Sequence, residues 1–117
     1  MTRQKNQEME ELKQLLRKTS KEKGVNIWKR VAEDLDKPTR NRINVNIYKL
    51  SSNTKKDETV IVPGKVLGMG ELSHSVNVAA YSFSEEAMKK INTKGKALNI
   101  RDLVKNNPEG KKVRIIG

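Results

Sequence analysis

One hundred and seventeen residues suffice for one domain, and 28 of them are Leu, Ile, Val or Phe, above the roughly one-fifth below which a charged chain stays disordered. The absence of cysteine excludes disulfide frameworks, Cys-based zinc sites, iron–sulfur clusters and cysteine nucleophiles. Twenty-five Lys and Arg against 14 Asp and Glu leave a net charge of +11, sorted into blocks: residues 37 to 56 hold six cations and no acid, residues 57 to 86 one cation and five acids.

Residues 1 to 7 contain no apolar core of a signal peptide, and no apolar run reaches the roughly 18 residues of a membrane span, so a soluble, cytoplasmic protein without membrane partners is expected. Residues 8 to 23 are predicted helical, because Met9, Leu12 and Leu16 form one apolar stripe, and Gly24 ends the helix. Off that stripe, Lys13, Arg17 and Lys21 stack at i, i+4 and i+8, a like-charge row that faces either solvent or phosphate. A second helix starts with Asn26 as N-cap, carries Trp28, Val31, Ala32 and Leu35 on one side, and is closed by Pro38. Its place in the stripe assigns Trp28 to the core rather than to base stacking.

Lys37-Pro38-Thr39-Arg40-Asn41-Arg42 reads as a polar loop around a breaker and is the best local candidate for RNA contact. Ile43, Val45 and Ile47 alternate with Asn44 and Asn46, as in a short strand exposing two amides. Ile47, Tyr48 and Leu50 equally suit a turn of helix, and periodicity leaves both readings open. Thr59-Val60-Ile61-Val62 is β-branched throughout and is expected to be a buried strand that stops at Pro63-Gly64. Lys65-Val66-Leu67 then leads into a turn at Gly68-Met69-Gly70.

A strand over roughly residues 76 to 83 directs Val76, Val78 and Ala80 to one side. Ser84 caps a short helix with Glu85 and Glu86 in its first turn and Lys89 and Lys90 in its last, signs that suit the helix dipole, and Gly95 marks its exit. Asn99 caps a further helix with Ile100, Leu103 and Val104 on its apolar side. Asn107-Pro108-Glu109-Gly110 fits a type I turn. A last strand over residues 111 to 116 points Val113 and Ile115 inward and Lys112 and Arg114 to the other face. The interleaving gives an α/β class: a single domain over residues 1–117, with N-terminal helices in 1–36 and a mixed strand and helix core in 37–117.

Catalytic chemistry finds little to stand on. Around Gly64–Gly70 a P-loop would need Gly and Ser or Thr where Thr59 and Val66 stand, and a dinucleotide fingerprint would need Gly where Ser73 stands. His74 is the only histidine and reads as an exposed loop residue, without a second histidine to complete a metal site. No enzyme activity, cofactor, metal or small-molecule substrate is therefore expected. Of the four aromatics, Trp28, Tyr48, Tyr81 and Phe83, at least two are placed in the core, which favours phosphate and sugar contacts over base reading. Cations held apart from the chain's own acids neutralise phosphates and release counterions, so the default partner is nucleic acid.

Two stretches carry a resemblance. Val60-Ile61-Val62-Pro63-Gly64-Lys65-Val66-Leu67-Gly68, followed by Val76-Asn77-Val78-Ala79-Ala80, Asn106-Asn107-Pro108-Glu109-Gly110 and Val113-Arg114, resembles the archaeal and eukaryotic large-subunit ribosomal protein eighteen-e family, whose fold is related to bacterial large-subunit protein fifteen. Leu35-Asp36-Lys37-Pro38, Val45-Asn46-Ile47 and Lys49-Leu50 match its other segment. Thr39 and Ile43 depart from the family pattern, and the chain lacks the long basic extensions of eukaryotic members, so it looks archaeal. The resemblance implies an α/β domain in the cytoplasmic ribosome that binds large-subunit rRNA beside neighbouring ribosomal proteins. The RNA-binding residues expected are Lys37, Arg40, Arg42, Asn44 and Lys49 on one side, Lys94, Lys96, Lys111, Lys112 and Arg114 on another, and Lys65 at the Gly-rich turn. The alternative is a free-standing nucleic-acid-binding protein that coats DNA or chaperones RNA.

Overall fold

In the computed structural model, which describes residues 5–36 and 43–117, helices and strands alternate. The order is α1 (Lys5–Lys23), α2 (Ile27–Leu35), β1 (Ile43–Asn46), α3 (Ile47–Asn53), β2 (Glu58–Leu67), β3 (Val76–Phe83), α4 (Glu85–Lys94), β4 (Lys96–Asn99), α5 (Ile100–Asn106) and β5 (Val113–Ile115). The strands form one five-stranded parallel sheet in the order β1-β2-β3-β4. β5 pairs with Thr59–Ile61 and β1 with Gly64–Leu67, so these two short strands share the length of β2.

Because side chains alternate across a strand, each central strand feeds two cores. Val60, Val62, Val76, Val78 and Ala80 face Ile47 and Leu50 of α3 and Ala87 and Ile91 of α4. Ile61 and Ala79 face the stripes of α1, α2 and α5. The result is a three-layer sandwich in which the expected inward sets, Met9, Leu12 and Leu16, then Trp28, Val31, Ala32 and Leu35, are all buried. The indole of Trp28 is fully buried, and its N–H donates to the Pro108 carbonyl at 2.7 Å. That bond ties α2 to the turn before β5, where the Gly110 N–H donates to the Asn107 carbonyl at 2.9 Å as the type I reading requires.

Four expectations change. β2 does not stop at Pro63-Gly64 but runs through it, with a register irregularity between Val62 and Lys65 that accommodates the proline. Gly64 is needed there because a Cβ would lie 1.9 Å from the Ile43 carbonyl oxygen of β1. The ambiguous stretch from Ile43 is both things in turn, strand to Asn46 and helix from Ile47. Asn26 precedes α2 in an αR conformation and makes no side-chain capping bond, whereas Ser84 and Asn99 accept from the N–H groups of Ala87 and Asp102. β4, which has only Ala97 and Leu98 as apolar residues, was not foreseen.

β2 and β3 are parallel neighbours, yet no helix joins them. Nine residue steps from Leu67 to Val76 must retrace ten strand residues of roughly 3.3 Å each, so the connection runs almost fully extended. It crosses the face between α3 and α4, where Leu72 is buried, Ser73 bonds Ser51, and Lys90 reaches the Gly68 and Gly70 carbonyls.

Candidate nucleic-acid interface

A parallel sheet sends every strand start to the same end, and that end is basic. Lys55 and Lys56 precede β2, Lys94 and Lys96 flank the entry to β4, and Lys111 and Lys112 precede β5; all six are exposed. Val113, Thr59, Asn77 and Lys96 lie in one row across four strands, which puts Lys112 and Lys96 near opposite margins of the sheet, on the order of 14 Å apart. A groove of about 560 Å³ opens here, lined by Lys55, Lys56, Lys112 and Arg114 together with Asp57 and Glu58. Asn107 shapes the approach to β5, its amide donating to the Lys111 carbonyl at 2.9 Å. Lys112 follows with φ +58, the left-handed region that L side chains occupy only under constraint.

The opposite end holds a smaller set. Asn44 of β1 and Lys65 of β2 are register partners, so both side chains leave the same sheet face, and both are exposed. Ser82 of β3 continues the row. Lys49, half-buried on α3, follows directly after β1. Among the described residues, Lys49, Lys65, Lys94, Lys96 and Lys112 take part in no ion pair. Lys37, Arg40 and Arg42 lie outside the described residues.

Other cations are engaged by the chain's own carboxylates. Arg114 grips Glu58 with Nε to Oε2 at 2.9 Å and Nη2 to Oε1 at 3.1 Å, and also donates to the Asn53 carbonyl. Together with the Lys55 N–H at 3.0 Å, that guanidinium holds the Glu58 carboxyl below the usual range. Lys111 pairs with exposed Glu109 at 3.0 Å and lowers it likewise. The row of Lys13, Arg17 and Lys21 is a solvated face only in part, since Arg17 and Lys21 are exposed and Lys13 is not. Lys13 is buried against Asp36 at 2.5 Å and Glu10 at 2.6 Å, and Arg17 reaches the other oxygen of Asp36 at 2.7 Å. Hydrogen bonding to Asp36 raises the Lys13 amine above its ordinary value, and the same bond lowers Asp36. Asp36 lies 23 residues away, beyond the reach of any helical spacing rule.

The sequence reading did not single out Lys55 and Lys56, although they close the acid-free block that began at Lys37. It also took His74 for an exposed loop residue. The loop is right, but the ring is half-buried and bonded to Thr54 at 2.8 Å and Ser73 at 3.0 Å. No cluster of three His, Cys, Asp or Glu suited to a metal occurs among the described residues, nor does a helix long and apolar enough to cross a membrane.

These features define a small parallel α/β domain that bares cations at both ends of its sheet. Residues 9–99 match the model of the family described as ribosomal proteins 50S-L15, 50S-L18e and 60S-L27a, and the chain belongs to that family. It is 50% identical over 102 residues to large ribosomal subunit protein eL18 of Methanothermobacter thermautotrophicus, spanning 86% of this chain and 84% of that one. The eL18 of Methanoregula boonei is 48% identical over 103 residues, with 87% and 85% spanned. That of Haloarcula marismortui is 44% identical over 101 residues, with 86% and 87% spanned. All three relatives are archaeal, as the sequence resemblance implied.

Proposed function

We propose that this protein is a structural constituent of the large ribosomal subunit in the cytoplasm, where it binds folded rRNA and carries no catalytic duty. The sheet separates two sets of side chains, Lys94, Lys96, Lys111 and Lys112 at one end and Lys49, Lys65 and the neutral amide of Asn44 at the other, with Lys55 and Lys56 joining the first. Lys37, Arg40 and Arg42, which lie outside the described residues, are proposed as further phosphate contacts from the charge of their segment alone. Each set neutralises phosphates of a different RNA segment and lowers the repulsion that keeps those segments apart. The observation that carries this reading is the exposure of Lys65, Lys94, Lys96 and Lys112 without an acidic partner among the described residues, on a chain whose family is ribosomal. Arg114 enters the interface mainly by ordering Glu58, whereas the pair of Lys111 with exposed Glu109 is weak enough to yield to a phosphate.

Affinity for purified large-subunit rRNA measured against salt tests the mechanism. With six to eight phosphates engaged, log affinity falls by roughly five to seven per decade of salt. A flat response refutes the electrostatic reading. Sedimentation separates a ribosomal constituent, which travels with the large subunit, from a free-standing DNA-coating or RNA-chaperone protein, which does not.

A further inference from the structure

Tyr48 is the one aromatic side chain among the described residues that stands mostly in solvent, 53% exposed, and Met69 beside it is 67% exposed. Trp28 is fully buried, while Tyr81 and Phe83 are half-buried against the two cores. The closeness of Tyr48 and Met69 is built in. The Tyr48 N–H donates to the Met69 carbonyl at 3.0 Å, and the Met69 N–H donates to Asn46 Oδ1 at 3.3 Å. Gly70, with φ +101, lies so near that a Cβ would come within 2.6 Å of the Tyr48 Cβ.

The turn is clamped from its other side. Lys90 Nζ donates to the Gly68 carbonyl at 2.8 Å and the Gly70 carbonyl at 2.6 Å, and pairs with Glu86 at 3.3 Å and Glu71 at 3.4 Å. Partial desolvation works against its charge, but the two carboxylates outweigh that and raise the amine above its ordinary value. An exposed methionine and an exposed tyrosine are therefore presented on backbone fixed at every residue of the turn.

We propose that an unpaired nucleobase of the large-subunit RNA stacks on Tyr48 and Met69, its backbone phosphate taken by Lys65 or Lys49; this rests on the rRNA-binding reading above. Two side chains offer too little area for a protein interface, which needs on the order of 1,000 Å². They suffice for one base, since every base has a π-face that stacks on an aromatic ring without sequence preference. Charge supports the same occupant. Lys49 adjoins Tyr48, and exposed Lys65 stands two residues before Leu67, the register partner of Asn46. The acids of this region, Glu71 and Glu86, lie on the α4 side and are met by Lys90. A phosphate of a base on this turn thus has Lys49 next to Tyr48 and the side chain of Asn46 at Met69, with Lys65 on the neighbouring strand.

The test uses the full chain, purified large-subunit rRNA and three variants, Tyr48→Ala, Tyr48→Phe and Met69→Ser. Tyr48→Ala is expected to weaken RNA binding about tenfold with an unchanged salt slope, because the lost ring is uncharged, while Tyr48→Phe stays within about twofold. Met69→Ser, at an exposed site, weakens binding in the same direction and guards against misfolding of the alanine variant. Ultraviolet crosslinking of assembled subunits should leave a nucleotide adduct on Tyr48. Wild-type affinity in both Tyr48→Ala and Met69→Ser overturns the platform and leaves the phosphate mechanism standing, as does an adduct to another protein in place of a nucleotide. Failure of the wild-type chain to bind rRNA at all instead sinks the reading beneath it.

Discussion

Arg114 and Glu58 meet fork to fork, the guanidinium of β5 on the carboxylate that opens β2, at 2.9 and 3.1 Å. β5 is only three residues long, so this pair and the bond from Arg114 to the Asn53 carbonyl fasten a strand that has little else on that face. Arg114 is half-exposed, which screens the interaction, and Arg114→Ala should cost only about 0.5 to 1 kcal/mol in denaturant unfolding. Its effect on the salt slope of RNA binding should be small beside that of Lys65→Ala, which removes about 0.7 to 0.9. Equal changes in slope would return Arg114 to the phosphate-binding set.

Gly64 marks the closest approach of β1 to β2, and Gly95 does the same between α4 and β3, where a Cβ would lie 2.0 Å from the Val76 carbonyl oxygen. Backbone cannot yield as a flexible side chain does. Gly64→Ala should therefore destabilise by about 2 to 3 kcal/mol, the range of overpacked interiors. Gly24→Ala, where the turn is open, carries only the φ +65 penalty of about 1 kcal/mol. Chemical unfolding of the two variants side by side checks the order.

Stability should fall in acid. Asp36, lowered by Lys13 and Arg17, Glu58, lowered by Arg114, and Glu109, lowered by Lys111, bind protons more readily when unfolded. A depressed carboxyl contributes stability above its unfolded pKa, about 4, and loses it as pH falls through the lower folded value. Melting temperature should be level near neutrality and drop below about pH 4. Lys13 and Lys90, raised instead, contribute fully below about 10.5 and lose it as pH rises further. Asp36→Asn should flatten part of the acid slope and also lower the melting temperature at pH 7, because buried Lys13 loses its main partner. An acid profile identical to wild type would deny the linkage.

What could be read from the chain alone was whatever local chemistry decides. β3 falls on residues 76 to 83 as alternation demanded, and Ser84 and Asn99 cap because each precedes a helix in extended backbone. What escaped depends on partners distant in sequence. Pro63 looks like a terminator until β1 and β5 are seen to share β2 around it, and β4 is a strand only because β3 lies beside it. The interface divides the same way. Charge blocks pointed to Lys94, Lys96 and Lys112, but only the parallel sheet shows that they share an end with Lys55 and Lys56. Composition did not distinguish Lys13, buried on Asp36, from Lys65, which is bare.

Self-repulsion among cations brought to the same end of a sheet opposes folding in low salt. The isolated protein should melt at a higher temperature as salt is added, and higher still with rRNA, by mass action on the folded state. Indifference to both would remove the argument that the bare cations await a polyanion.

Lys112 offers a direct separation of folding from binding. Its φ of +58 costs a β-carbon-bearing residue about 1 kcal/mol relative to glycine, and its amine has no acidic partner among the described residues. Strain of this kind persists where the surrounding structure holds the backbone in place. Lys112→Gly should therefore leave stability unchanged or raise it by up to about 1 kcal/mol while lowering RNA affinity and reducing the salt slope by about 0.7 to 0.9. Lys112→Asn, which tolerates the left-handed region but lacks the charge, should lose the same contact. A variant that unfolds more easily yet binds RNA as before would make Lys112 a structural residue and take it out of the interface.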